Sequence, residues 1–352
     1  MTGLQVKVSR RAGTAPTLSD VAKAAGVSPM TVSRVINKDG GVKAETRERV
    51  ETAVVALNYA PNTAARVLAG APRTRIALIY GNPSSAYLSE VLVGCLAEAR
   101  RSDVQLLLEQ WSDSGAEDAA RRLAASGIDG VILPTPMCDD HGIAALMRAA
   151  GVPTVALATG LPEEHDFAVA IDDAGAAADM TRYLIACGHR RIGFIAGDPG
   201  VSSSAQRQHG YVQALRDAGL HEDPALIAQG DFTYRSGLAA AEQLLQLVAP
   251  PTAIFASNDD MAAAVVAAAH RRHLDVPGQL SVCGFDDTAL ATSISPELTT
   301  VRQPVAAMAQ AAVEILASAA RRRRSGQPAG GEKRLFQHSL VERESVRPTP
   351  AT

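Results

Sequence analysis

Residues 17–37 read TLSDVAKAAGVSPMTVSRVIN, and this stretch predicts two short helices joined by a tight turn. Thr17 can cap the first amides of one helix, with Asp20 three residues on, as in a capping box. Ser28 is a second cap candidate, and Pro29 suits the first position of the next helix. Two helices across a turn that contains glycine form a helix-turn-helix. The first helix has one apolar face, formed by Leu18, Val21, Ala22 and Ala25.

The second helix, residues 29–36, is predicted to bury one face and expose the other. Hydroxyl and amide groups on the exposed face can bond DNA phosphates, and an arginine there can make paired hydrogen bonds to a guanine edge. We therefore expect this face to bind DNA, with a three-helix protein-interaction module as the alternative. A third helix over residues 44–58 is expected to close the small core. The exposed face carries Met30, Thr31, Ser33, Arg34 and Asn37.

Charge is distributed unevenly along the chain. The net charge of the 352 residues is −3. Residues 1–75 hold 12 Lys and Arg against 5 Asp and Glu, a charge of +7, which leaves −10 for the remainder. A basic segment on an acidic body is typical of a nucleic-acid-binding module joined to a body with another role. A solvated basic tail is the alternative, and charge alone does not exclude it.

Composition and motifs exclude several classes of protein. Hydrophobic residues make up 47% of the chain, which is enough for a sizeable core. The longest apolar run, near residues 261–269, is too short to span a bilayer, and the N-terminal residues lack the apolar segment of a secretory signal. The four cysteines show no CxxC spacing, so we expect neither disulfides nor a metal site. We expect a cytoplasmic protein with no cofactor and no membrane partner.

The segment after the third helix is expected to act as a hinge. Pro61 stops that helix at Ala60. Residues 62–70 then read as a very short helix, with Asn62 as cap and Gly70 as stop. Such a helix is marginal in isolation, and we expect it to form only against a partner copy and DNA. Anything that shifts the two bodies would then change DNA affinity.

Short β-rich runs alternate with helix-length stretches from residue 73 to residue 346, which predicts a parallel α/β body. The stretch RIALIYGNPS from Arg75 is similar to RIGFIAGDPG from Arg191, a strand and a turn in each case. We expect two doubly wound parallel-sheet subdomains with a ligand cleft at the carboxyl ends of their strands. The strand candidates are Ile76–Tyr80, Val104–Leu108, Gly130–Leu133, Thr154–Leu157, Val169–Ile171, Ile192–Ala196, Ile254–Ala256 and Ser281–Phe285.

Three aspartate pairs follow predicted strands, at 172–173, 259–260 and 286–287. Paired carboxylates can serve acid–base catalysis or bind metal ions, and they can also cap the following helices, as Asp173 and Asp259 would. A carboxylate can also accept hydrogen bonds from adjacent sugar hydroxyls. No HExxH, GxSxG, P-loop or GxGxxG motif accompanies the pairs, so a sugar-processing enzyme is only a remote alternative.

The stretch from Thr17 to Gly70 resembles the DNA-binding head of the LacI/GalR family of bacterial transcriptional regulators. In the body, CGHRRIGFIAGDP (187–199), AIFASNDDMAAA (253–264) and LSVCGFDDTALA (280–291) are similar to that family's regulatory core. The resemblance implies an all-α head, a hinge helix and a core of the periplasmic-binding-protein type. It divides the chain into an arm (1–15), a head (16–60), a hinge (61–72), an N-terminal core subdomain (73–172 with 302–330) and a C-terminal one (173–301 with 331–346).

The resemblance also implies roles in DNA binding. The positions that match Pro29 and Met30 read the operator in this family, and the position that matches Arg34 contacts a base in many members. Leu68 would wedge between base pairs in the minor groove and kink the DNA. The expected DNA-contacting residues are Thr17, Ser28, Pro29, Met30, Thr31, Ser33, Arg34, Asn37, Asn62, Ala65 and Leu68.

A small-molecule effector is implied for the cleft. Asp286 would accept hydrogen bonds from sugar hydroxyls, and Arg207 would orient hydroxyls or a carboxylate. Phe232 would offer an aromatic wall, Asn258 a polar contact, and Gln303 would sense the ligand or the closure. An ion pair, core packing and a helix cap are the alternative roles of Arg207, Phe232 and Asn258. The other subdomain is expected to contribute Asn82, Ser84, Ser85 and Tyr87.

We expect a homodimer on palindromic operator DNA, because heads of this kind bind paired half-sites. A small sugar or sugar acid is expected to release the DNA; the alternative is a corepressor, purine-like or other, that tightens binding. Arg321–Arg324 is expected to be a solvated helix end rather than a second DNA site. The expected dimer face is the helix over residues 87–101, with Leu88, Val91, Leu92, Cys95 and Leu96.

Overall fold

The computed structural model describes residues 16–36, 41–59, 73–110 and 116–347. The chain divides into two compact units, residues 1–73 and residues 74–352. Each unit has hydrophobic clusters of its own, one in the first unit and three in the second. The predicted hinge helix over residues 62–70 lies outside the described residues.

The first unit is the predicted helix-turn-helix followed by a third helix, with α1 at Leu18–Ala25, α2 at Pro29–Ile36 and α3 at Ala44–Ala56. The predicted capping box is present, because the Thr17 side chain accepts from the Asp20 amide and the Asp20 side chain accepts from the Thr17 amide. Helix α3 ends two residues earlier than predicted, since Asn58 adopts a left-handed φ of 47°. The three helices enclose a core centred on Val21, Val32 and Val50.

The second unit alternates strands and helices, as predicted. In chain order it contains β1 (Thr74–Tyr80), α4 (Ser85–Arg101), β2 (Val104–Gln110), α5 (Ala116–Ala125), β3 (Gly130–Pro134), α6 (His141–Ala149), β4 (Thr154–Leu157), β5 (Phe167–Ile171), α7 (Asp173–Ala186), β6 (Ile192–Ala196), α8 (Ser202–Asp217), β7 (Ile227–Gln229), α9 (Tyr234–Leu245), β8 (Ala253–Ala256), α10 (Asp259–Arg271), β9 (Ser281–Asp286), β10 (Thr299–Arg302), α11 (Val305–Arg324), β11 (Glu332–Phe336) and β12 (Ser339–Val341).

The strands form two six-stranded sheets, which define two subdomains. The first sheet has the order β11-β5-β4-β3-β1-β2, and all its pairings are parallel. The second has the order β12-β10-β9-β8-β6-β7, with one antiparallel pairing, between β10 and β12. Helices cover the sheets, and the fully buried strands β3, β5, β6, β8 and β9 carry the near-continuous apolar character of a parallel sheet.

The chain passes three times between the subdomains. It leaves the first sheet after β5 and returns after β10, where α11 packs against α4 and the first sheet. The third passage differs from the expected division at residue 331. Residues Glu332–Phe336 pair in parallel with β5 in the first sheet, and only Ser339–Val341 joins the second. An edge strand needs a neighbour on one side only, so the polar sequence EKRLF can occupy that position.

Helix α4 does not present the whole of its expected dimer face to solvent. Val91 and Cys95 are fully buried, and they belong to the core cluster that includes residues of α11. Gly94 allows this close packing, because a Cβ at this position would lie 2.1 Å from the Ala306 carbonyl oxygen. Val93 and Leu96, in contrast, are 59% and 57% exposed. The apolar surface of this helix is therefore rotated by about one residue from the predicted one.

Candidate functional site

The second helix of the head exposes the face that the sequence predicts. Met30 is 66% exposed and Arg34 is exposed, whereas Val32 and Val35 are buried on the opposite side. Ser28 caps α2, since its hydroxyl oxygen accepts from the Thr31 amide at 3.2 Å. Chemically, this surface offers an arginine, an apolar side chain and hydroxyls along one short helix.

Some of the predicted DNA contacts have structural partners inside the head. The Thr17 hydroxyl donates to the Asp20 carboxylate at 2.7 Å, and this hydrogen bond helps to hold the pKa of Asp20 below its usual range. The Ser28 and Thr31 hydroxyls lie 2.9 Å apart and share a hydrogen bond. Thr31 and Ser33 are half-buried, and Pro29 is exposed. Four further predictions, Asn37, Asn62, Ala65 and Leu68, fall on residues outside the described ranges.

Arg207 lies at the centre of the cleft between the two sheets and is only 4% exposed. Its Nε donates to the Asp173 carboxylate at 2.8 Å, and its Nη1 donates to the Ser257 carbonyl at 2.6 Å. The guanidinium stacks on Phe285, with 3.7 Å between Cζ and the ring centroid. These contacts hold the cation in one orientation, as required of a group that positions a ligand.

Asp286 is the carboxylate that faces this arginine. Its Oδ1 lies 3.8 Å from Arg207 Nη1 and accepts a hydrogen bond from Gln303 Nε2 at 2.6 Å. Burial raises the pKa of Asp286 to about 7, although Arg207 and Gln303 favour its charged form. The turn is strained, because Asp286 and Asp287 have φ values of 111° and 59°. The structure thus brings Arg207, Asp286 and Gln303 together as predicted.

Three buried polar side-chain atoms within the described ranges have no hydrogen-bond partner, and they surround this cluster. They are Tyr87 Oη, Thr135 Oγ1 and Gln303 Oε1. Tyr87 and Thr135 line the cleft, and Gln303 contacts Asp286 behind it. Buried polar groups in native proteins are nearly always satisfied by protein, water or ligand. The Tyr87 and Thr135 hydroxyls line the cleft and are therefore available to a water molecule or a polar ligand there.

Phe232 and Asn258 form one wall of the cleft. Phe232 has a left-handed φ of 68°, and its ring lies flat over Gly197, where a Cβ would come within 2.0 Å of the ring. Asn258 caps α10 through its Oδ1, and its Nδ2 donates to the Phe232 carbonyl at 2.9 Å. The cap that the sequence offered as an alternative role for Asn258 is therefore present. Its amide also holds the Phe232 loop in place.

The first subdomain provides the opposite wall. Asn82 bonds the Ser84 amide and the Thr135 carbonyl, which joins two loops at the carboxyl ends of β1 and β3. Ser84 caps α4 and donates from Oγ to Asp260 Oδ2 at 2.6 Å, a hydrogen bond across the cleft. Ser85 is exposed and is not part of the cleft lining, which differs from the expectation.

A second set of hydrogen bonds joins the subdomains farther along the cleft. The Ser202 amide, at the start of α8, donates to Asp139 Oδ2 at 3.0 Å. The Gly160 amide donates to the Ser202 hydroxyl at 2.8 Å. Gly160 permits this approach, because a Cβ there would lie 2.6 Å from the Ser203 amide nitrogen. The two walls are thus held together at both Ser84 and Ser202.

Sequence reasoning missed several residues of the cleft. They share one topological property: each lies at or just beyond the carboxyl end of a strand, or at the start of the helix that follows it.

The contacts of the aspartate pairs also differ from the expected ones. The pairing of Asp173 with Arg207 was missed, since it depends on the packing of α7 against α8. Asp172 rather than Asp173 caps α7, and Asp259 bonds Thr288 and Thr300 instead of capping α10. The missed lining residues are Pro83, Thr135, Pro136, Asp198, Val201, Ser203 and Asp231.

The described residues were also compared with the requirements of a metal site and of a membrane-spanning helix. No group of three or more His, Cys, Asp or Glu side chains in this part of the chain could hold a metal ion. Within the same ranges, none of the helices combines the length and the apolar character that crossing a bilayer requires. The aspartate pairs are instead used in contacts with Arg207, Ser84, Arg302 and Arg343.

An exposed helix-turn-helix face joined to a polar cleft between two α/β subdomains is the arrangement of a ligand-responsive DNA-binding protein. A family model described as bacterial regulatory proteins, lacI family, matches residues 17–62, and one described as periplasmic binding protein-like domain matches residues 181–346. The transcriptional repressor CytR of Escherichia coli (strain K12) is 33% identical over 97% of this chain and 99% of its own length. The transcriptional regulator CelR of Thermobifida fusca is 34% identical over 94% and 98%.

Solved structures agree with these relatives. The lac repressor dimer bound to operator and the anti-inducer ONPF has 29% sequence identity and a TM-score of 0.74, over 95% of this chain and 100% of that one. A complex of the transcriptional regulator CelR with cellobiose has 33% identity and a TM-score of 0.71, over 94% and 99%. The chain belongs to the lacI family of bacterial regulatory proteins. It is a DNA-binding transcriptional regulator and not an enzyme, as the sequence predicts.

Proposed function

We propose that this protein is a repressor that binds a palindromic operator as a homodimer and is released by a small sugar or sugar acid in the cleft. The observation that carries the proposal is the cleft itself. It combines a fixed cation at Arg207, a carboxylate at Asp286 and an aromatic face at Phe232, with unpaired hydroxyls nearby. This set of groups suits a ring with several hydroxyls, because carboxylate and guanidinium bond hydroxyls and the ring face stacks on an aromatic side chain.

A relative supports the choice of ligand class. The solved structure of CelR, similar to this chain over 94% of its length, is a complex with cellobiose. A ligand in the present cleft would meet Asn82, Ser84 and Tyr87 from one subdomain and Arg207, Asp286 and Asn258 from the other. Gln303, at the second passage of the chain between the subdomains, would register the position of Asp286. Because contacts from both walls stabilise one relative position of the subdomains, ligand binding would bias that position.

For DNA binding, we propose that α2 enters the major groove. Pro29, Met30 and Arg34 would face bases, and Thr17, Ser28, Thr31, Ser33 and Asn37 would contact phosphates or neighbouring bases. Asn62, Ala65 and Leu68 would act from the hinge, with Leu68 as the minor-groove wedge. The division of the chain into arm, head, hinge and two core subdomains is proposed with it, at the limits given above except that residues 332–336 go with the N-terminal subdomain.

A homodimer follows from the paired half-sites of a palindrome, and α4 offers a surface for it. Val93 and Leu96 on α4 and Leu108 on the adjacent edge strand β2 are more than half exposed. Leu108 is on the same face of the sheet as the buried Val104, the face that α4 covers. These three side chains replace Val91 and Cys95 in the proposed dimer surface. Contiguous exposed apolar side chains of this kind mark interaction sites.

The test begins with selection of an operator from a pool of random duplexes by the purified protein. Binding to that operator is then titrated with sugars, sugar acids and purines at fixed salt, because phosphate contacts make the affinity depend steeply on salt. Release by a sugar or sugar acid is expected. Tighter binding with any ligand would instead establish the corepressor mode, with the opposite sign of coupling between cleft and DNA.

Two variants localise the response. Asp286→Ala is expected to bind operator normally and to lose the response to the ligand, because the cleft loses its main acceptor. Asp217→Ala, which removes an exposed aspartate of the same subdomain, is the matched control and should respond as the unmodified protein does. A normal response of Asp286→Ala would contradict the assignment of the cleft as the effector site.

A further inference from the structure

The C-terminal end of α11 carries four consecutive arginines, Arg321–Arg324, all of them exposed. The sequence after residue 75 holds 22 Lys and Arg against 32 Asp and Glu, given the 34 and 37 of the whole chain and the 12 and 5 of residues 1–75. This run is therefore a concentration of positive charge on a body that is acidic as a whole. Successive helical residues are about 100° apart, so the four side chains point in different directions around the end of the helix.

The run lies where the chain enters the core. Arg324 donates from Nη1 to the Thr74 hydroxyl at 3.2 Å and from Nη2 to Asp129 Oδ2 at 3.0 Å. Thr74 is the first residue of β1, and the amide of the next residue, Arg75, also donates to Asp129. The arginines are thus at the N-terminal end of the first strand, which is the end that continues into the head.

The other three arginines of the run are not used in ion pairs with described residues. The ion pair that the run makes within those ranges is that of Arg324 with Asp129. Arg322 donates to the Ala329 carbonyl, which leaves its charge uncompensated. The helix dipole stabilises cations in the last turn, but this interaction leaves their charge unneutralised. A helix end alone does not account for four arginines together.

We propose that Arg321, Arg322 and Arg323 bind the phosphates of the DNA duplex whose bases the head reads. The 13 residues from 60 to 72 connect the two units, and a chain of that length spans at most roughly 50 Å. That length limits how far this surface can lie from DNA that the head holds. The contact would be independent of sequence, and it would extend the operator footprint beyond the bases that α2 reads.

The electrostatic part of DNA binding is independent of sequence, so the test needs no operator. The full-length protein is titrated onto a dye-labelled 40-base-pair duplex of arbitrary sequence, by fluorescence anisotropy, between 25 and 150 mM KCl. Each phosphate contact contributes about 0.9 to the slope of log affinity against log salt. Arg321→Gln/Arg323→Gln removes two contacts from each protomer, so the slope should become shallower by about 1.8 for a bound monomer and by about 3.6 for a bound dimer, with the largest loss of binding at low salt.

Two controls separate a direct contact from a general effect of charge. Arg216→Gln/Arg271→Gln removes two exposed arginines from the last turns of α8 and α10, in the second subdomain, and should leave the slope unchanged. Arg321→Lys/Arg323→Lys keeps both charges and should retain the slope of the unmodified protein. The melting temperature of each variant reports whether it is folded.

An unchanged slope in Arg321→Gln/Arg323→Gln would overturn the proposal and would leave a protein partner with an acidic surface as the other use of the run. An equal change in the Arg216→Gln/Arg271→Gln control would overturn it as well, because the effect would then be one of net charge. If the unmodified protein showed no salt-dependent binding at all, DNA binding itself would be contradicted. That result can be told apart from an unchanged slope in the double variant and from an equal change in the control.

Discussion

Asp286 gives the sharpest prediction, because burial raises the pKa of this carboxyl from 3.8 to about 7. As the pH rises through 3.8, the unfolded chain ionises Asp286 freely, while the folded protein keeps it protonated until the pH approaches 7. Folding is therefore progressively disfavoured between about pH 4 and pH 7, and the loss levels off above that. At about 1.4 kcal/mol per pH unit, the full effect is on the order of 4 kcal/mol.

Asp286→Asn removes this titration and preserves the shape. The amide oxygen can still accept from Gln303 Nε2, now 2.6 Å away, and asparagine tolerates a positive φ better than most residues. Arg207 keeps its ion pair with Asp173 at 2.8 Å. The variant should therefore gain stability over the unmodified protein as the pH rises from 5 to 7, by about 2 kcal/mol, because the folded carboxyl is itself half ionised at pH 7.

The assay is thermal unfolding of both proteins at a series of pH values from 5 to 8. For a domain of this size, 1 kcal/mol moves the melting temperature by roughly 2 °C, so the difference should grow by about 4 °C between pH 5 and pH 7. Titrations of groups distant from residue 286 cancel in the difference. The buried Asp259, whose pKa the Asp286 charge helps to raise, should ionise more readily in the variant, which changes the stability difference in the same direction. A difference between the two melting temperatures that stays constant from pH 5 to pH 8 would refute the reasoning.

The neighbouring residue supplies the control. Asp287 accepts from Arg302 Nε at 2.5 Å and from Arg343 Nη2 at 2.6 Å. Asp287→Asn weakens both ion pairs and leaves the largely buried Arg343 with only Glu297, 3.7 Å away, as a charged partner, so it should lower the melting temperature at every pH in this range. The two substitutions would then change the melting temperature in opposite directions. Because both aspartates lie in the same strained turn, the difference would come from their hydrogen-bond partners.

Three other perturbations test the proposed assembly and head. Leu68→Ala should weaken binding to the selected operator and reduce DNA bending in a gel assay while ligand binding is unchanged; unaltered affinity and bending would exclude the wedge. Leu96→Glu should shift the protein from dimer to monomer in light scattering, whereas Arg216→Glu, an exposed change in the other subdomain, should not. Thr17→Ala removes the capping box of α1 and should cost the head about 1 kcal/mol, which hydrogen exchange of the α1 amides can measure.

Local patterns made the head and most of the strands predictable from sequence. The helix-turn-helix depends on caps and spacing within 20 residues, and the predicted strands are buried apolar runs whose type is evident without knowledge of their neighbours. Strands β7, β10, β11 and β12 were missed. They are short, and three of them carry charged or polar side chains on a partly exposed strand. These strands pair with the edges of sheets formed by distant parts of the chain. The periodicity of the sequence does not predict such pairing.

The sequence predicted only those cleft residues that match positions known in the family. Arg207 and Asp286 were both assigned to the cleft, and they lie 3.8 Å apart in the structure although 79 positions separate them in the numbering. Asp173, the partner of Arg207, lies on α7, which packs against α8. Gln303, the partner of Asp286, lies where the chain passes between the subdomains. Such contacts arise from tertiary packing, and no spacing in the sequence predicts a raised pKa at Asp286 or an ion pair between α7 and α8.

Strand β1 links the two functional ends of the core. It begins at Thr74, where the connection to the head ends and Arg324 is bonded, and the loop after it reaches the cleft at Ser84. The Ser84 hydroxyl bonds Asp260 in the other subdomain, so a change in the relative position of the subdomains acts on the loop that follows β1. A sheet strand and its packed helix move as a rigid unit. Strand β1 therefore runs from Thr74, the end tethered to the head, to the loop that bonds Asp260 across the cleft.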